Sequence, residues 1–129
     1  VNVVADLLTL EQKESVRLDP ERLGGLYRQL GEVAAEDMIC RAIEELALRL
    51  THCETLWRRQ DGPGLRKAAR SLIAIADQIG MTTLARVAAD VTAAADANDA
   101  AALGATLFRL MRIGEKSLTA VWDLQEFSV

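Results

Sequence analysis

Aromatic residues are nearly missing from this chain: two tryptophans, two phenylalanines and one tyrosine make up 4% of 129 residues. Sheets draw on aromatic and β-branched side chains to cover their pleated faces, so this scarcity, with Ala and Leu abundant, argues for close-packed helices and an all-α fold. Histidine occurs once and cysteine twice, with no Cys-x-x-Cys or His-x-x-x-His spacing, which leaves a zinc site without its ligands. Cys40 and Cys53 lie too far apart in helical register to act as a redox or metal pair, and both are expected to be reduced, buried, small hydrophobes. Basic excess is also lacking: 15 Lys and Arg against 19 Asp and Glu give a net charge of −4, so nucleic acid is not expected as a partner. No apolar run is long enough to cross a bilayer, and Val1 to Leu10 has neither a basic leader nor a small-residue cleavage site. A cytoplasmic protein that meets no membrane is the expectation. Nor is there a Ser-His-Asp set, a recognisable pair of carboxylates or a glycine-rich phosphate loop, so no enzyme, cofactor or metal is expected.

What is present is one domain's worth of amphipathic helix, with 50% hydrophobic and 26% charged residues. Residues 1–18 read as an extension, apolar at Val3, Val4, Leu7, Leu8 and Leu10, and residues 19–129 as the bundle domain. Asp19-Pro20-Glu21 is a helix start, because Asp can accept first-turn amides and Pro there loses no needed donor. That short helix should end at Gly31. From about Glu36 to Gln60, Ile39, Ile43, Leu46, Leu50, Cys53 and Trp57 alternate spacings of four and three, the stripe of a long helix. Asp61-Gly62-Pro63-Gly64 is expected to break it with a tight turn. The next helix carries Leu65, Ala68, Leu72, Ile75 and Ile79 inward and stops at Gly80. Thr82 or Thr83 is expected to cap a fourth helix with Leu84, Val87, Val91 and Ala94. After Asn98-Asp99 the last helix runs through Leu103, Leu107, Leu110, Leu118 and Val121 towards Trp122, and Gly104 and Gly114 within it are expected where another backbone comes close. Four long helices with short connections predict an antiparallel up-down four-helix bundle, with the first short helix across one end.

The stretch Ala69-Arg70-Ser71-Leu72-Ile73-Ala74, followed by Ile79-Gly80 and Leu84, resembles the Ala-His-x-Leu-Lys-Gly motif of histidine-containing phosphotransfer domains of bacterial phosphorelays. The likeness extends from about Asp19 to Leu118, with Gln60-Asp61 before the motif helix and an Ala-Asn-Asp turn before the last helix. It implies a four-helix bundle that presents its reactive residue from the outer face of one helix. Arg70 stands where the phosphorylated histidine would be. A guanidinium stays protonated and has no free lone pair for attack on an aspartyl phosphate. Ile73 replaces the family's Lys, Ala74 its Gly, and Val91-Thr92 takes the place of the acidic residue often found in the next helix.

Helical spacing puts Arg66, Arg70, Ile73 and Asp77 on one outward stripe, with Lys67 and Ala74 beside it and Arg58 and Arg59 at the hairpin end. The resemblance implies that a receiver domain or a histidine kinase docks on this basic patch with its apolar centre, without phosphate being carried. The same arginines also fit an ordinary solvated face. His52 is the one candidate substitute for the missing histidine, level with Arg70 by its distance from Asp61. A different expectation fits the apolar start: a helical scaffold or homodimer unrelated to phosphotransfer.

Overall fold

The computed structural model describes residues 16–127, whose regular elements are all helical. They are α1 (Pro20–Leu30), α2 (Glu32–Arg58), α3 (Gly62–Gln78), α4 (Thr82–Asp96) and α5 (Ala100–Phe127). The apolar opening Val3 to Leu10 lies outside the described residues.

Helix α1 begins as its sequence dictates: the Asp19 carboxylate accepts the amides of Glu21 and Arg22, and Pro20 occupies the first turn. It ends at Gly31, whose φ of +81° suits a residue without a Cβ and whose amide donates to the Tyr27 carbonyl. The same glycine stands at the start of α2, so that helix begins at Glu32 rather than near Glu36. Along α2 the expected residues Ile39, Leu46, Leu50 and Cys53 are buried, together with Ala35, Ala42 and Leu56; Ile43 and Trp57 are half-buried against the core.

The break after α2 is shorter than expected. Only Arg59 to Asp61 separate α2 from α3, with Gln60 in the left-handed region at φ +58°. Gly62, Pro63 and Gly64 form the first turn of α3, where proline's missing amide would have had no intrahelical partner. Asp61 caps this turn by accepting the Gly64 amide at 2.9 Å.

The threonine cap expected for α4 is also corrected. Met81 precedes the helix without a side-chain cap, and both threonines turn instead to the chain ahead of α1. The Thr83 hydroxyl accepts the Arg17 amide at 2.7 Å, and the Thr82 hydroxyl donates to the Arg17 carbonyl at 3.1 Å. Leu18 pairs with Met81 in an isolated bridge, and the Asp19 amide donates to the Gly80 carbonyl. Val16 and Leu18, read from sequence as part of the extension, pack against the core. Thr83 is thereby buried and spent on a tertiary bond rather than a local one.

Asp99 starts α5 as expected, its carboxylate accepting the Ala102 amide, with Asn98 in the left-handed region before it. Neither glycine of α5 meets a backbone. Gly104 faces the indole of Trp57, and Gly114 receives the side chain of Leu50.

Helix α2 packs on α3, α3 on α4, α4 on α5, and α5 back on α2, which closes a ring around one core. Ile39, Leu46, Leu65, Leu72, Leu84, Val87, Leu107, Leu110 and Ile113 are essentially sealed from solvent within it. Each such side chain contributes roughly 1.5–3 kcal/mol by leaving water. Helix α1 packs on α2, and Arg22 donates to the Gln78 carbonyl, so α1 sits at the end where α3 turns into α4.

Candidate functional site

Helix α3 buries Leu65, Ala68, Ala69, Leu72 and Ala76, and the three alanines let neighbouring helices approach closely. Its opposite surface carries the residues singled out by sequence. Lys67, Arg70, Ala74 and Asp77 are exposed, whereas Arg66 and Ile73 are half-buried. Ile73 packs against the core and does not stand out as the exposed apolar centre that was expected, because it lies on the flank of α3 that leans towards a neighbouring helix.

That neighbour is α4. The Arg66 guanidinium is hydrogen-bonded to the Asp96 carboxylate at the far end of α4. The ion pair marks the register of the two helices, which are joined at their other ends through Ile79 to Met81. Arg86, Ala89, Ala93 and Asp96 follow one another on α4 at spacings of three, four and three, and all four are exposed. They run alongside Arg66, Arg70, Ile73 and Asp77 in the reverse order. This register sets Asp77 level with Arg86 and Arg70 level with Ala93.

The consequence is electrostatic. At one end of the double row Arg66 is paired with Asp96, and at the other Asp77 and Arg86 are both exposed. Arg70 and Lys67 are exposed and make no ion pair among the described residues, and Ala74, Ala89 and Ala93 are exposed as well. The Arg70 guanidinium stays protonated and has no free lone pair for the attack that an imidazole makes. Sequence reasoning missed the α4 half of this surface, including Arg86. Its three-four-three spacing was legible, but only the Arg66–Asp96 pair tells which α4 row borders α3.

His52 is exposed on α2 and belongs to a different flank. The α2 side of α3 is marked by Ile75 and Gln78, which line a cleft with Met38, Ala42 and Glu45, whereas Arg70 lies on the α4 side. Arg58, expected to widen the basic patch, is held by Glu54 one turn earlier on α2. Arg59 is exposed beside it.

The two cysteines differ: Cys53 is buried and Cys40 half-buried, and no disulfide joins them. Burial raises the Cys53 thiol from its ordinary 9.0 to about 11, against a smaller opposing pull from Arg49. Tyr27 is also raised, first by burial and then by the negative charge of Glu36 and Glu32. Among the described residues no group of three or more His, Cys, Asp and Glu side chains gathers as a metal cluster, and no helix is long and apolar enough to cross a membrane.

Compared with known proteins, the chain matches no family model, no curated protein and no solved structure.

Proposed function

We propose that this protein is a non-transferring relative of the histidine-containing phosphotransfer domains, which docks a receiver domain or a histidine kinase through the α3–α4 face and carries no phosphate itself. In this reading the ring of long helices is an antiparallel up-down four-helix bundle, and Arg70 occupies the station from which a histidine would act. The observation that carries the proposal is Arg70 itself: an exposed cation halfway along α3 with no ion pair among the described residues, one turn from Arg66, which Asp96 holds. Positive potential at that point steers an acidic receiver pocket into register, and the small side chains around it let the two surfaces close.

Affinity capture from lysate of the source cell, with the native protein and Arg70→Glu run side by side, tests the reading. Receiver or kinase domains should be retained by the native protein and lost by the variant, while the variant's thermal stability changes by no more than about 0.5 kcal/mol, as suits an exposed helix position. Retention of the same domains by both proteins would remove the α3–α4 face from the account. Incubation with a phosphorylated receiver should leave no acid-labile phosphate on the chain, and phosphate on His52 would overturn the non-transferring part.

A further inference from the structure

Helix α1 is attached to the ring more weakly than the ring is held to itself. No residue of α1 is buried, none of the buried core residues comes from Val16 to Gly31, and its contact with α2 is sparser than any contact within the ring. Leu23, Leu26 and Tyr27 rest against the core without being enclosed by it. The seat is also incompletely filled, because a cavity of about 390 Å³ runs between Leu26 and Leu30 of α1, Met38 of α2 and Gln78 at the end of α3. Few buried apolar contacts mark a segment that opens by itself while the remainder of a protein stays folded.

The helix is weak in itself as well. Gly24 and Gly25 stand side by side in the middle of its 11 residues, and each lowers helix propensity. Packing calls for neither: a Cβ on Gly25 would meet nothing within 4 Å, and one on Gly24 would meet the Arg28 guanidinium at 3.3 Å, the movable end of a flexible side chain. Gly114 is the contrast, since there Leu50 occupies the space that a Cβ would need. Two glycines that no neighbour requires leave α1 dependent on its attachments.

Those attachments are of two kinds, one at each end. At the C-terminal end the chain passes into α2 through Gly31 alone, which is exposed, has a φ of +81° and has open space where a Cβ would be. A glycine joint of this kind can absorb a large backbone rotation. At the N-terminal end hydrogen bonds do the holding. Besides the bonds of Arg17 to Thr82 and Thr83 and the Asp19 amide on the Gly80 carbonyl, the Arg22 guanidinium donates to the Gln78 carbonyl. Such bonds exchange for bonds to water at small net cost, so they act as a latch. Between the two ends Tyr27 lies on the side of α2 that carries Glu36 and Cys40: burial raises its hydroxyl above the ordinary value, and Glu36, Glu32 and Cys40 add to the rise in that order. We propose that Val16 to Leu30 form a latched lid, which swings off the end of the ring about Gly31 as one unit while α2–α5 stay folded, and which uncovers Met38, Cys40 and Met81 as it goes.

The experiment follows amide hydrogen exchange of the full chain by NMR, with thiol labelling as a second readout. Amides of Arg17, Asp19 and Leu23 to Gly31 should share one protection factor, about a hundredfold below that of the slowest amides in α3 and α4. Gly24→Ala combined with Gly25→Ala should raise that shared factor about tenfold, at Arg17 and Asp19 as much as within α1, although those two residues lie outside the helix. Gly25→Pro, which removes a donor in the middle of α1, should hold the lid open. Cys40 should then react with a maleimide about tenfold faster than in the native protein, while Cys53 stays protected and thermal unfolding remains cooperative. Protection of α1 equal to that of α3 and α4, or a glycine replacement that leaves Arg17 and Asp19 unmoved, overturns the proposal. So does an unfolded Gly25→Pro variant, because α2–α5 would then depend on α1.

Discussion

Leu50 of α2 fills the space that Gly114 of α5 leaves open: a Cβ at Gly114 would stand 2.6 Å from one Leu50 methyl and 3.0 Å from the other. A glycine at this point costs helix propensity, about 1 kcal/mol relative to alanine, and the α2–α5 contact recovers that loss through packing. Gly114→Ala is therefore expected to destabilise the protein by about 1 kcal/mol, because overpacking outweighs the propensity gain. Leu50→Ala alone should cost about 2–5 kcal/mol through the cavity it opens. The double variant should be more stable than the sum of the two losses implies, since the new methyl then has room. Urea unfolding of all four proteins measures the coupling, and strict additivity would show that the two residues do not share one volume.

The tie between Thr83 and the Arg17 amide is a 2.7 Å bond to a buried hydroxyl. Thr83→Val keeps the shape and removes the acceptor, so it should cost about 1–2 kcal/mol and expose the Arg17 amide to faster hydrogen exchange. Thr83→Ser should retain most of the protection. Unchanged exchange in the valine variant would mean that the bond does not hold the segment.

Asp61 and Gly64 form a cap that leaves no room for a side chain. A Cβ on Gly64 would lie 2.3 Å from an Asp61 carboxylate oxygen. Asp61→Ala should cost about 1 kcal/mol, and Asp61→Asn much less. Gly64→Ala, ordinarily a helix-favouring change, should destabilise by expelling the cap. Combined with Asp61→Ala it should become neutral or favourable, which thermal denaturation of the set would reveal.

Cys53 gives the protein an alkaline limit. Its thiol is raised from 9.0 to about 11 by burial, so above pH 9 the unfolded chain gives up this proton while the folded chain keeps it. The neutral thiol's contribution to stability is thus fully present below pH 9 and is lost as pH rises through about 11. Cys53→Ala should flatten the stability profile over that interval. A maleimide should label Cys53 at the rate of unfolding, and immediate labelling at pH 8 would contradict its burial.

The extent to which the sequence disclosed this structure depends on the range of the forces at each position. The stripe of α2, the Asp19-Pro20 start, the Gly31 and Gly80 stops and the Asp99 cap were legible, because each is decided by residues within a turn or two. The α4 cap was misread for the opposite reason. Thr82 and Thr83 have the chemistry of capping residues, but their hydroxyls satisfy the backbone of Arg17, 65 and 66 residues away, and no local rule can register that competition. The glycines of α5 were expected where another backbone comes close, but their neighbours are the side chains of Trp57, in ordinary contact with Gly104, and Leu50, pressed onto Gly114, and these meet only when the ring closes. At the candidate site the helical period placed Arg66, Arg70 and Asp77 on one row. It could not show that Ile73 leans into the core or that Arg86, Ala89 and Ala93 complete the surface, since both follow from the α3–α4 register.

The clamp formed by Arg17, Leu18 and Asp19 on the corner from Gly80 to Thr83 bears on the order in which the molecule assembles. The hairpins of the long helices close short connections, whereas this clamp must wait for a corner more than sixty residues downstream to exist. Closing so long a span carries an entropic charge that is recovered only after the later helices have met. Docking of α1 is thus expected to follow the rate-limiting step. Thr83→Ala should accelerate unfolding and leave the folding arm of a chevron in place, and a shift of the folding arm instead would put the clamp inside the nucleus.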